Sequence, residues 1–141
     1  MKHILLIIYL ILFSILSCNL YAEGFDYYAH IKKYVKCEAV QNVAANISSE
    51  SEEEFYQHEL HFASLDSRQI ALEFARAGNY SPQEVEELYV TYLDEYRAIL
   101  SESEDVDKFL KSLSPQVTKC RKLNDMQKDL LQRNKSTQIE F

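Results

Sequence analysis

Apolar residues return at intervals of three and four along most of this chain, which is the spacing of amphipathic helices. The pattern predicts a first helix over about residues 26–47, followed by a second and a third helix that each bury one face. The predicted core stripe of the second helix is Tyr56, Leu60, Ala63, Ser67, Ile70, Phe74 and Ala77. That of the third helix is Val85, Leu88, Tyr89, Tyr92, Leu93, Tyr96, Ile99 and Leu100.

Capping residues predict where the second and third helices begin and end. Residues 51–54, Ser-Glu-Glu-Glu, form a capping box that opens the second helix. Gly78 is expected to end that helix in the left-handed conformation. Ser81 then caps the third helix, Pro82 takes its first position and Glu84 completes a second capping box.

The last helical stretch, which starts near Val106, contains a proline in its interior. Pro115 predicts that this helix is either kinked or broken. Its later apolar side is expected to comprise Val117, Cys120, Leu123, Met126, Leu130 and Leu131. The 141 residues include only two glycines and two prolines, too few for the turns of a β-rich fold. The sequence therefore predicts an all-α fold, a small up-down bundle of about four helices whose first and last helices are neighbours.

Residues 1–22 have the character of a secretory signal peptide. Lys2 and His3 precede an apolar run over residues 4–16, and Ala22 is a small residue at a suitable cleavage position. The mature chain is then expected to be periplasmic or secreted, with a helical-bundle domain over residues 23–132 and a frayed polar tail over residues 133–141. No second apolar run approaches the length of a membrane span.

A lipid anchor is the alternative to release from the membrane. Residues 15–18, Ile-Leu-Ser-Cys, resemble the lipobox of bacterial lipoproteins, although Leu16 is bulkier than the usual residue. Lipidation of Cys18 would tether the domain to the envelope.

Removal of the signal peptide leaves two cysteines, Cys37 and Cys120. In an oxidising compartment an even pair predicts one disulfide, here between the first and last helices. Closing so long a loop would stabilise the fold by about 4 kcal/mol in the chain-entropy account. The alternative is two unpaired thiols.

Charge is distributed unevenly along the chain. Residues 50–107 hold sixteen acidic residues and three arginines, whereas residues 108–141 hold eight basic and three acidic residues. One interpretation is that a basic last helix packs against acidic neighbours within the domain. The other is that an acidic surface attracts a basic protein partner. The formal net charge of −7 argues against nucleic acid as the partner.

The second helix carries apolar residues beyond its core stripe. One helix of a four-helix bundle rarely needs two apolar faces, so this side is interpreted as a surface for a partner or for a homodimer. Otherwise the loop that follows the first helix, or residues 106–113, would cover it. The predicted partner-binding residues are Glu52, Glu53, Glu54, Phe55, His58, Phe62, Leu65 and Leu72.

Motifs for metal binding and catalysis are weak in this sequence. Glu54, His58 and His61 could face one ion, but the histidines are three apart and the zinc peptidase motif HExxH needs four. Solvated or partner-facing histidines are the favoured interpretation, and no metal or other cofactor is expected. No nucleophile elbow or glycine-rich phosphate loop occurs, so neither catalytic residues nor enzymatic activity are expected.

An exported helical domain with one long-range disulfide resembles several classes of bacterial periplasmic protein in its architecture. Among them are immunity proteins and inhibitors that neutralise envelope toxins. This resemblance implies a non-enzymatic binding protein whose acidic surface engages a basic protein partner. The alternative is a carrier of a small ligand or a metal, using the bundle interior or the pair His58 and His61.

Overall fold

The computed structural model describes residues 24–48 and 54–138, and within them it contains four helices and no strand. These are α1 (Tyr27–Ser48), α2 (Glu54–Ala77), α3 (Pro82–Ser101) and α4 (Val106–Gln138). The predicted all-α bundle is confirmed. The predicted signal peptide, Cys18 and residues 51–53 of the first capping box lie outside the described residues.

The central element is α1, which packs against each of the other three helices. Between Cys37 and Ala45 every residue except Asn42 is buried. A helix that is covered on all sides loses the one-sided pattern of a surface helix, and α1 shows this along its second half. Its first half is different, because Lys32, Lys33 and Lys36 are exposed.

The predicted disulfide between Cys37 and Cys120 is present and joins α1 to α4, with an S–S distance of 2.03 Å and Cα atoms 5.4 Å apart. Two ion pairs join α2 to α4 in the same order along both helices. Glu59 pairs with Arg121, and Asp66, further along α2, pairs with Lys128, further along α4. The second and fourth helices therefore run parallel, as an up-down topology requires.

The end of α2 corrects the prediction made for Gly78. The left-handed residue is Asn79, with φ of 61°, and Gly78 does not have a positive φ. The Tyr80 N–H donates to the Ala75 carbonyl at 2.8 Å and the Asn79 N–H to the Arg76 carbonyl at 3.4 Å, which is the Schellman arrangement. Asparagine tolerates the left-handed conformation because its short polar side chain can form hydrogen bonds with nearby groups.

The start of α3 confirms the second capping box. The Ser81 Oγ accepts a hydrogen bond from the Glu84 N–H at 3.2 Å, and the Ser81 N–H donates to the Glu84 carboxylate at 2.7 Å. Pro82 occupies the first turn. Along the helix, Val85, Leu93 and Tyr96 are buried, but Ile99 is 54% exposed and does not belong to the predicted core face.

The fourth helix is continuous from Val106 through Pro115 to Gln138, which excludes the break, one of the two outcomes predicted at Pro115. Val117 and Cys120 are buried as expected. Met126 and Leu130 are 64% and 52% exposed, which contradicts their predicted place on a buried side. Asn124, at 2% exposed, is a buried residue of this stretch of α4 instead.

The core divides into two clusters, both built on α1. One surrounds the disulfide and includes Val40, Leu93, Phe109 and Leu113. The other lies nearer the start of α1, where Val35 packs with Ile70 of α2 and Val85 of α3. Across residues 24–48 and 54–138, none of the helices has the length and apolar character needed to cross a membrane.

Candidate functional site

The outer face of α2 exposes large apolar side chains in the isolated protein. Phe62 is 65% exposed and Leu65 is 49% exposed. His58 lies one turn before Phe62 and is also exposed. Their spacing of three and four residues places these side chains on one face of the helix, opposite Leu60 and Ala71, which are fully buried. We call His58, Phe62 and Leu65 the α2 surface patch.

The remaining residues predicted for partner binding are distributed differently. Leu72 is partly buried and packs against the core cluster around Val35, so it contributes to the fold. Glu52 and Glu53 lie outside the described residues. Glu54 and Phe55 form the first turn of α2, but their side chains lie outside the described part.

A shallow groove of about 260 Å³ adjoins Phe62 on the side that faces α4. Three carboxylates line it, those of Glu59, Asp66 and Asp125, together with Arg121. Arg121 lies 3.1 Å from the Glu59 carboxylate, and Lys128 pairs with Asp66. Charged side chains therefore border the α2 surface patch. Among the residues that line the groove, three are acidic and one is basic.

These two ion pairs show how the uneven charge of the sequence is arranged. Two basic residues of α4, Arg121 and Lys128, lie against acidic residues of α2, as the intramolecular interpretation expects. Other acidic side chains are exposed on α3 and on its connection to α4. They include Glu87, Asp94, Glu95, Glu102, Glu104 and Asp105.

The histidines considered as metal ligands, His58 and His61, are both exposed. Among the residues that the structure describes, no three His, Cys, Asp or Glu side chains converge on a point where an ion could bind. The geometry of the described residues thus gives no support to a metal centre at this pair.

Sequence reasoning missed an ionic cluster at the junction of α1, α2 and α3. Glu38 is 4% exposed and accepts a hydrogen bond from the Arg68 guanidinium at 2.9 Å. Arg68 also pairs with Glu86 and lies 5.8 Å from the ring centroid of Tyr89. Burial raises the pKa of Glu38, and the neighbouring Arg68 opposes that rise. The second carboxylate oxygen of Glu38 is buried without a hydrogen-bond partner in the structure.

A second polar group fills the contact between α1, α2 and α4. The Gln41 side-chain amide is oriented so that its nitrogen donates to the Ser67 hydroxyl at 2.8 Å. Ser67 donates in turn to the Asn124 side-chain oxygen at 3.1 Å, and the Asn124 amide donates to the Ala63 carbonyl at 3.0 Å. These interactions satisfy polar groups that are costly to bury alone, and they fix how the three helices meet.

Among the tyrosines of α3, Tyr96 is buried and Tyr89 and Tyr92 are partly buried, and the hydroxyls of Tyr89 and Tyr96 reach polar partners. The Tyr96 hydroxyl donates to the Gln116 side chain at 2.7 Å, and the Tyr89 hydroxyl accepts from the Asn42 amide. Burial raises the pKa of Tyr89, Tyr92 and Tyr96, so each stays protonated at neutral pH. Their arrangement suits packing and hydrogen bonding at the edge of the core.

Comparison with protein family models, with curated proteins and with solved structures finds no match to this chain, so the geometry of these surfaces is the basis for a functional hypothesis.

Proposed function

We propose that this protein is an exported, non-enzymatic binding protein that engages a basic protein partner through the α2 surface patch, as an inhibitor or an immunity protein would. The observation that carries the proposal is the exposure of Phe62, at 65%, with Leu65 three residues later. An aromatic side chain among exposed apolar neighbours is characteristic of the apolar centre of a protein interface. Export rests on the predicted signal peptide of residues 1–22.

The charge around the patch supports a basic partner. Glu59, Asp66 and Asp125 border Phe62; Arg121 and Lys128 pair with the first two, which leaves one carboxylate in excess. An apolar centre with a charged rim is the usual organisation of a specific interface. Because the whole chain carries a net charge of −7, long-range attraction would add to the local complementarity.

The first experiment identifies what contacts the patch. The mature chain carrying a photo-reactive phenylalanine analogue at position 62 is cross-linked in the native envelope fraction, and the same analogue at position 99 serves as a control. Ile99 is 54% exposed and lies on α3, away from α2. A basic protein captured from position 62 and not from position 99 would support the proposal, whereas equal capture from both positions would contradict it.

The second experiment measures binding of the captured protein after purification. Phe62→Ala should raise the dissociation rate, with Ile99→Ala unchanged, because a buried aromatic contact is lost only at position 62. Asp125→Asn, and separately the combined change of Glu52, Glu53 and Glu54 to Gln, should lower the association rate and its salt dependence. Unchanged dissociation for Phe62→Ala, in a variant of normal stability, would show that the α2 surface patch is not the interface.

A further inference from the structure

A second surface feature, to which α2 contributes no residue, is a cleft of about 400 Å³ between α1, α3 and α4. It opens because α3 and α4 make the weakest contact of any two helices. The middle of α1 forms one wall, from Lys33 to Val40, and the Cys37–Cys120 disulfide also lines the cleft. We call this space the lysine cleft, for the residues that line it.

Three lysines surround the opening of the lysine cleft. Lys33 and Lys36 come from α1, and Lys119 comes from α4. All three are exposed, and the Lys36 ammonium lies 5.6 Å from the centroid of the Tyr92 ring. The described residues that line the cleft include no carboxylate. The side chains that line the cleft therefore carry a net positive charge, on a chain whose net charge is −7.

The inner part of the lysine cleft is apolar. Val40 and Leu123 line it, and the hydrogen bond between Tyr96 and Gln116 spans it from α3 to α4. Met126 and Leu130 follow Lys119 and Leu123 by seven residues, so they continue the same face of α4. Their exposed fractions, 64% and 52%, show an apolar strip that leads away from the lysines along the helix.

We infer that the lysine cleft binds a small amphipathic anion, one with a carboxylate or phosphate head group and a hydrocarbon chain. The head group lies among Lys33, Lys36 and Lys119, which supply charge-assisted hydrogen bonds. The chain lies against Leu123 and extends along Met126 and Leu130, where it covers apolar surface that the fold leaves exposed. This site is separate from the α2 surface patch and does not depend on the partner proposed for it.

Decanoate is a suitable probe because it combines a carboxylate with a flexible hydrocarbon chain. Calorimetric titration of the disulfide-intact mature protein should show saturable binding, and amide NMR shifts should concentrate at Val40 and Leu123. The variant with Lys33, Lys36 and Lys119 changed to Gln should bind decanoate about tenfold more weakly, as the loss of three exposed charge contacts implies. Decyltrimethylammonium, with the same chain and a positive head group, should not bind.

Matched variants separate the cleft from the general charge of the protein. Changing Lys108, Lys111 and Lys122 of α4 to Gln removes the same charge at exposed positions outside the lysine cleft, and decanoate binding should be unchanged. Phe62→Ala should also leave it unchanged. The inference is overturned if decanoate fails to bind, if both lysine variants bind alike, or if the cationic amphiphile binds equally well. Binding to anionic phospholipid vesicles without binding to monomeric decanoate would likewise overturn it, since the site would then serve a membrane surface.

Discussion

Gly78 lies so close to Tyr27 that a β-carbon added at residue 78 would stand 2.7 Å from the β-carbon of Tyr27 and 2.9 Å from its Cγ. The end of α2 can therefore lie this close to the start of α1 because Gly78 has no side chain. Glycine is required at residue 78 because of this close approach and not because of its backbone conformation, since the residue with a left-handed conformation at this helix end is Asn79.

Gly78→Ala should destabilise the protein by about 2 kcal/mol, the usual cost of forcing an extra carbon into a filled space. Urea unfolding measures the change. Substitutions at Asn79 distinguish this explanation from a conformational one: Asn79→Gly should be tolerated, whereas Asn79→Ala should cost about 1 kcal/mol because φ is positive there. A neutral Gly78→Ala together with a neutral Asn79→Ala would contradict both assignments.

Ser81→Ala should weaken the fold by about 1 kcal/mol, because it removes the hydroxyl that accepts the Glu84 N–H at the start of α3. Ser81→Asn is the matched control, since asparagine also caps helices well and should retain most of the stability. Denaturant unfolding of the three proteins gives the comparison. Equal losses in both variants would mean that the side-chain cap contributes little.

The buried carboxyl of Glu38 gives stability a specific dependence on pH. Burial raises its folded-state pKa above the ordinary value of 4.5, so the folded protein holds this proton more tightly than the unfolded chain does. The contribution of Glu38 to stability is therefore fully present below that ordinary value and is lost as the pH rises through the raised pKa. Arg68, Glu86 and Tyr89 are the other titratable or charged groups of this cluster.

Glu38→Gln should remove this dependence. The difference in unfolding free energy, wild type minus variant, is expected to fall as the pH is raised from about 4 towards neutrality. Arg68→Met removes the group that opposes the rise in the pKa of Glu38. When the comparison with Glu38→Gln is repeated in Arg68→Met protein, the difference in unfolding free energy should fall more steeply with pH. A difference that stays constant with pH, or that grows, would show that Glu38 does not titrate as the burial implies.

Asn124→Leu should cost about 2 kcal/mol, because the Ser67 hydroxyl and the Ala63 carbonyl of α2 lose a buried hydrogen-bond partner on α4. Adding Ser67→Ala to Asn124→Leu should recover part of that loss, since the orphaned hydroxyl is then removed. Thermal or urea unfolding of the two single variants and the double variant tests the coupling. Strictly additive losses would argue against a shared network.

The features that sequence predicted well are those set by local chemistry. The cap at Ser81 and the order of the four helices depend on residues near one another in the chain, and the disulfide was predicted because two cysteines remain once the predicted signal peptide is removed. The ionic cluster at Glu38 was missed because its members lie on three helices. The spacing of residues within one helix does not indicate which other helices it contacts. The same holds for Met126 and Leu130, whose helical spacing is that of a core face although the weak contact between α3 and α4 leaves that face uncovered.

The disulfide also determines what happens to this protein when its backbone is cut. Cys37 and Cys120 bracket α2, α3 and the connections before, between and after them. A protease that cleaves any of these connections produces two fragments that remain covalently joined, whereas a bundle held by packing alone would release them. A nicked molecule would therefore run as one species without reductant and as two pieces once the bridge is reduced.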